Sequence, residues 1–113
     1  MLKLYTYPTC TTSKKARKFL TEKGVEFQEI DLKNGLTEKE LDKLIGKRDY
    51  REFFNPRNPV YREKKIKTDP PPRDEAIRIL AAEPRAIRRP MLVKGRKIVL
   101  GFDPAAYEEL IGA

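Results

Sequence analysis

The chain has no histidine, no tryptophan and a single cysteine, Cys10, in 113 residues. With no imidazole and one thiol, a structural or catalytic zinc site lacks its usual ligands, so no metal is expected. One cysteine also excludes an intramolecular disulfide framework, and that economy fits a reducing compartment. Long hydrophobic runs are missing as well. Apolar stretches last a few residues, too few to cross a bilayer, and no signal-peptide core follows Met1, so the expected location is the cytoplasm.

Acidic residues are the minority charge: 25 Lys plus Arg stand against 17 Asp plus Glu, a formal +8 that favours anionic partners such as glutathione, oxyanions or an acidic protein face. Direct nucleic-acid binding is not expected, because neither a recognition-helix motif nor an aromatic-interleaved RNA platform is evident. The run from Arg62 to Lys67 reads as a solvated basic face. Hydrophobic and charged residues are nearly balanced, 39% and 37%, which indicates a soluble folded chain of single-domain size rather than a disordered or membrane one.

Leu2, Leu4 and Thr6 alternate with Lys3, Tyr5 and Tyr7, the pattern of a half-buried strand, and Pro8 ends it. Ala16, Phe19, Leu20 and Lys23 follow at helical spacing, with Gly24 as a stop. Val25 to Leu32 is strand-like, but its apolar parity changes midway, which predicts a bulge or an early strand end. Thr37 to Glu40 forms a capping box ahead of an apolar stripe at Leu41, Leu44 and Ile45. A short helix is expected over Asp49 to Phe54, a basic loop over Asn55 to Thr68, and a helix from the Asp69-Pro70-Pro71-Pro72 start to Pro84. Residues 37–84 therefore read as a helical insertion within one domain. A hairpin turning at Lys94-Gly95-Arg96 and a helix entered through Asp103-Pro104 complete the order βαβ, helices, ββα. An α/β fold with a mixed sheet of about four strands, flanked by helices, buries these stripes compactly.

Cys10 lies where the first strand gives way to the first helix, facing unpaired N–H groups that stabilise a thiolate. A lone cysteine is by default an inert small hydrophobe. Here its neighbours are Thr9, Thr11, Thr12, Ser13, Lys14 and Lys15, and no apolar pocket is built locally. That setting points to a reactive thiol.

The segments Tyr5 to Ala16, Phe54-Asn55-Pro56-Arg57, Pro84 to Val93 and Leu100 to Asp103 together resemble the arsenate reductase/Spx family of thioredoxin-like proteins, closest to its YffB-like branch. The resemblance spans essentially the whole chain, residues 1–113. It implies a thioredoxin-like fold, with Cys10 as catalytic nucleophile and Arg89 as the arginine facing the thiolate and its anionic adduct. Pro90 matches the proline that is cis in such folds. Arg57 resembles a loop arginine of the YffB-like branch, whose proposed role is glutathione-dependent thiol reduction. Lys14 is a supporting anion-binding candidate.

Two departures shape the expectation. Arsenate reductases of this family use a further arginine after the last hairpin, where this chain has Gly101, Phe102 and Asp103. Redox-switching Spx regulators carry Cys-x-x-Cys, whereas this chain reads Cys10-Thr11-Thr12-Ser13, so Ser13 either donates a hydrogen bond to the thiolate or caps the first turn. The expected function is a monothiol thiol–disulfide oxidoreductase with no bound cofactor and glutathione as co-substrate, acting as a monomer. The alternatives are an arsenate reductase and, from another class, an Spx-like regulator that contacts RNA polymerase.

Overall fold

The computed structural model describes residues 2–112. Residues up to Asp31 together with those from Arg89 onward form one compact unit, and Leu32–Arg88 forms another. The helical insertion expected over 37–84 is contained in the second.

The first unit is built on a four-stranded sheet. Strand β1 (Leu2–Thr6) leads through helix α1 (Thr11–Glu22) to strand β2 (Phe27–Asp31). The chain later returns as β3 (Met91–Lys94) and β4 (Lys97–Leu100). The sheet order is β2-β1-β3-β4, with β1 parallel to β2 and the other two pairings antiparallel. This is the mixed sheet that the sequence pattern predicts.

Two local expectations change. Lys3 is exposed as the alternation predicts, but Tyr5 is buried along with Leu2, Leu4 and Thr6, and so is Tyr7 just past the strand, so only the start of β1 is two-faced. It is an inner strand with hydrogen-bonded partners on both edges. The parity change in the second strand is resolved by an early end: β2 pairs with β1 in unbroken register from Leu2↔Phe27 to Thr6↔Asp31, and the chain turns into a 3₁₀ segment at Leu32–Asn34.

Leu4 and Leu92 face each other across β1 and β3 and anchor the core of this unit, joined by Leu2, Ala16, Leu20, Tyr107 and Leu110. A C-terminal helix lies over Pro104–Gly112, and its entry follows the Asp-Pro signal, since the Asp103 carboxylate accepts from the Ala106 amide at 3.2 Å. Phe19, Phe102 and Tyr107 meet edge to face, with centroids 5.3–6.0 Å apart. Such pairs add about 0.5–1.5 kcal/mol each beyond area burial.

In the second unit the capping box is formed reciprocally: the Glu40 amide donates to the Thr37 hydroxyl at 3.1 Å and the Thr37 amide to the Glu40 carboxylate at 3.0 Å. It starts α2 (Glu38–Ile45). The short helix expected near Asp49 is a 3₁₀ turn over Tyr50–Phe53. The basic loop expected over Asn55 to Thr68 is corrected, because it contains a one-turn helix, α3 (Pro59–Glu63). Asn58 caps it by accepting from the Val60 amide at 2.9 Å, and Pro59 supplies a preset helical φ. Helix α4 (Arg73–Ala82) is tied back to α2 by Arg73, which donates to the Asp42 carboxylate at 2.6 Å and to the Gly46 carbonyl at 3.2 Å. No helix among the described residues is long and apolar enough to cross a membrane.

Candidate active site

Tyr7-Pro8-Thr9-Cys10 is a tight turn closed by the Cys10 amide donating to the Tyr7 carbonyl at 3.0 Å, with Pro8 presetting φ at its second position. The turn delivers Cys10 to the N-cap of α1, where its carbonyl accepts the first helical bond from Lys14 at 3.2 Å. The thiol is partly exposed and free. It is not walled in by hydrocarbon.

Partial burial is the largest single influence on this thiol and opposes its ionisation. It is outweighed by the Ser13 hydroxyl, the Ser13 amide, the Arg89 guanidinium and the Thr12 amide acting together, so the Cys10 pKa lies below its ordinary value. The sulfur makes no capping hydrogen bond of ordinary geometry, and the first-turn amides act on it as nearby dipoles that favour the charged form.

Ser13 is fully buried, and its hydroxyl accepts from the Tyr7 amide at 3.2 Å. The capping role considered for it is not what it performs, since Cys10 holds the N-cap and Ser13 lies inside the first turn. With one lone pair engaged by Tyr7, the hydroxyl hydrogen is left for the sulfur.

The Arg89 guanidinium lies over the Tyr7 ring, with its carbon 4.7 Å from the centroid, and from there favours the Cys10 thiolate. The Arg89–Pro90 peptide bond is cis, Pro90 is buried, and its carbonyl accepts from the Gly101 amide at 2.8 Å. Cys10, Ser13, Arg89 and Pro90 thus belong to one unit. Lys14 follows on the exposed side of α1 and touches this group through its backbone amide. Arg57 is an exposed residue of the other unit, its amide bonded to the Asn55 side chain at 3.1 Å. Tyr7, read from sequence only as a strand residue, is the site member that pattern reasoning missed. Its place directly before the Pro8 turn is the signal it offered.

The model of the ArsC family matches residues 5–110. The chain belongs to the ArsC family. Its sequence is 34% identical over 113 residues to the uncharacterized protein YusI of Bacillus subtilis (strain 168), covering 96% of each chain. It is 27% identical over 106 residues to the global transcriptional regulator Spx of Enterococcus faecalis (strain ATCC 700802 / V583), covering 91% of this chain and 80% of that one. Among solved structures, a protein described as a possible arsenate reductase from Streptococcus mutans UA159 superposes with a TM-score of 0.80 at 35% identity, covering 98% of both chains. A glutaredoxin from Archaeoglobus fulgidus shares the fold at a TM-score of 0.52 and 23% identity, over 99% of this chain and 86% of its own. The fold is thioredoxin-like, and the chain is related to arsenate reductases and to Spx regulators.

Against that family background, Phe102 is informative. With Gly101 and Asp103 it occupies the stretch where the resemblance places an arginine in arsenate reductases, and here its ring packs between Phe19 and Tyr107. A hydrocarbon ring in that aromatic group supplies no guanidinium donor.

Proposed function

We propose that this protein is a monothiol thiol–disulfide oxidoreductase that uses glutathione as its external thiol. The carrying observation is the partly exposed Cys10 at a helix start, made more acidic by Ser13, Arg89 and the first-turn amides. In the first step the Cys10 thiolate attacks the glutathione sulfur of a mixed disulfide, forming a Cys10–glutathione disulfide and expelling the other sulfur as a thiolate, which takes up a proton. Glutathione thiolate then attacks the adduct's glutathione sulfur, releasing oxidised glutathione and regenerating Cys10 as thiolate. The electron pair that reduces the substrate thus comes from the one glutathione thiol that enters in the second step, and the other half of the released disulfide is the glutathione that arrived in the substrate. Ser13 stands where a resolving cysteine would be needed for an internal disulfide, and the chain has no other thiol.

Arg89 serves the leaving and entering sulfurs by holding positive charge beside them, and its planar fork suits a glutathione carboxylate. Pro90 presents its backbone beside the sulfur, while Lys14 adds cationic surface within the same unit. Incubation with oxidised glutathione, followed by intact mass measurement, should give one adduct that reduced glutathione removes. Cys10→Ser should form none and lose turnover of a glutathione mixed disulfide. A wild-type protein that stays unmodified sinks the reading.

The similarity to Spx favours a second reading, a regulator that contacts RNA polymerase. A stoichiometric complex with the polymerase that survives Cys10→Ser would assign the chain to that class. Arsenate reduction is the third reading, and rapid glutathione-coupled turnover of arsenate would establish it despite Phe102.

A further inference from the structure

We propose that Tyr7 is a positioning residue for the Cys10 sulfur, holding Arg89 through its ring and Ser13 through its backbone amide. The proposal rests on the thiolate reading of Cys10 given above. Three contacts converge on this one residue. Its carbonyl accepts from the Cys10 amide at 3.0 Å, its amide donates to the Ser13 hydroxyl at 3.2 Å, and its ring carries the Arg89 guanidinium at 4.7 Å. Tyr7 itself is buried, at 8% exposure, so its ring is a fixed platform rather than a surface side chain.

Arginine has long rotamer-rich torsions, and a guanidinium at a partly exposed position otherwise spends its time in solvent and contributes little to a neighbouring charge. Stacking removes that freedom without consuming donors. The ring covers one face of the guanidinium, while the N–H groups project from its edge. One edge can therefore serve the sulfur while the face rests on Tyr7. The Ser13 hydroxyl is fixed in a complementary way: it uses a lone pair on the Tyr7 amide and keeps its hydrogen for the sulfur. Tyr7 thereby sets two of the groups that favour the thiolate.

The test is the pH dependence of Cys10 alkylation by iodoacetamide in the full chain, followed by mass. Tyr7→Leu removes the platform but also opens a buried site, so an isosteric series accompanies it: Tyr7→Phe, then Tyr7→pentafluorophenylalanine, which keeps the ring's shape and reverses its quadrupole. Tyr7→Phe is the reference ring, and relative to it the fluorinated ring should raise the midpoint by about half a pH unit. In an Arg89→Ala background the fluorinated ring should have no further effect. A midpoint that ignores fluorination while Arg89→Ala moves it would overturn the role of Tyr7 and leave the functional reading standing. A midpoint that Arg89→Ala does not move would also overturn the role of Tyr7, since Arg89 would then not act on the sulfur, whereas a wild-type midpoint at or above the free-cysteine value of about 8.5 would overturn the functional reading itself.

Discussion

Ser13→Ala separates two physical effects of one hydroxyl. The first is structural. Ser13 is fully buried and accepts from the Tyr7 amide at 3.2 Å, so its removal leaves a buried N–H unpaired, at a cost of about 1–3 kcal/mol. For a chain of 113 residues each kcal/mol lowers Tm by about 4 °C. This part does not depend on pH. The second effect does. The folded-state pKa of Cys10 is lowered, so the thiolate contributes stability that is present above the unfolded cysteine value of about 8.5 and is lost as pH falls through the folded value. Ser13→Ala removes a donor to the thiolate, raises the folded value and shrinks that contribution. The stability gap between wild type and Ser13→Ala should therefore be wider at pH 9 than at pH 6 in urea unfolding followed by circular dichroism. Cys10→Ser should abolish the widening and leave the pH-independent part. A gap that is the same at both pH values, or that widens equally in Cys10→Ser, would refute the reasoning.

Ser13→Cys should convert the monothiol into a dithiol, because residues three apart in a first helical turn lie within disulfide reach. Loss of free thiol under mild oxidant, without dimer formation, would show the internal bond. Lys65 holds a left-handed backbone at φ 52°, so Lys65→Gly should stabilise the protein by a net of about 0.5–1 kcal/mol in denaturant titration. Leu20→Ala, at a fully buried position of the first unit's core, should cost about 2–5 kcal/mol, read from the urea midpoint.

Legibility in the sequence followed the range of the interaction. The Thr37–Glu40 box, the Gly24 stop and the Asp103-Pro104 helix entry are local devices, and each is found where the residues indicate. Helix α3 was hidden because a one-turn helix with no buried residue has no apolar stripe to display, leaving Asn58-Pro59 as its only mark. The burial of Tyr5 on the parity that Lys3 leaves open depends on what packs over that end of the sheet, which alternation along one strand cannot express. The thiol's position followed from the Pro8 turn and the helix behind it. Its approach by Arg89, 79 positions further along the chain, came from family resemblance alone. No periodicity connects residues so far apart.

Cys10 stands at a place where Ser, Thr, Asp or Asn ordinarily grips the helix through its side chain, and it makes no such grip. The start of α1 is held instead by main-chain bonds on either side of the sulfur, from Cys10 to Tyr7 and from Lys14 to Cys10. Bulk can therefore be attached to this atom and taken away again while the helix remains wound, and the scaffold need not open for its cargo to change.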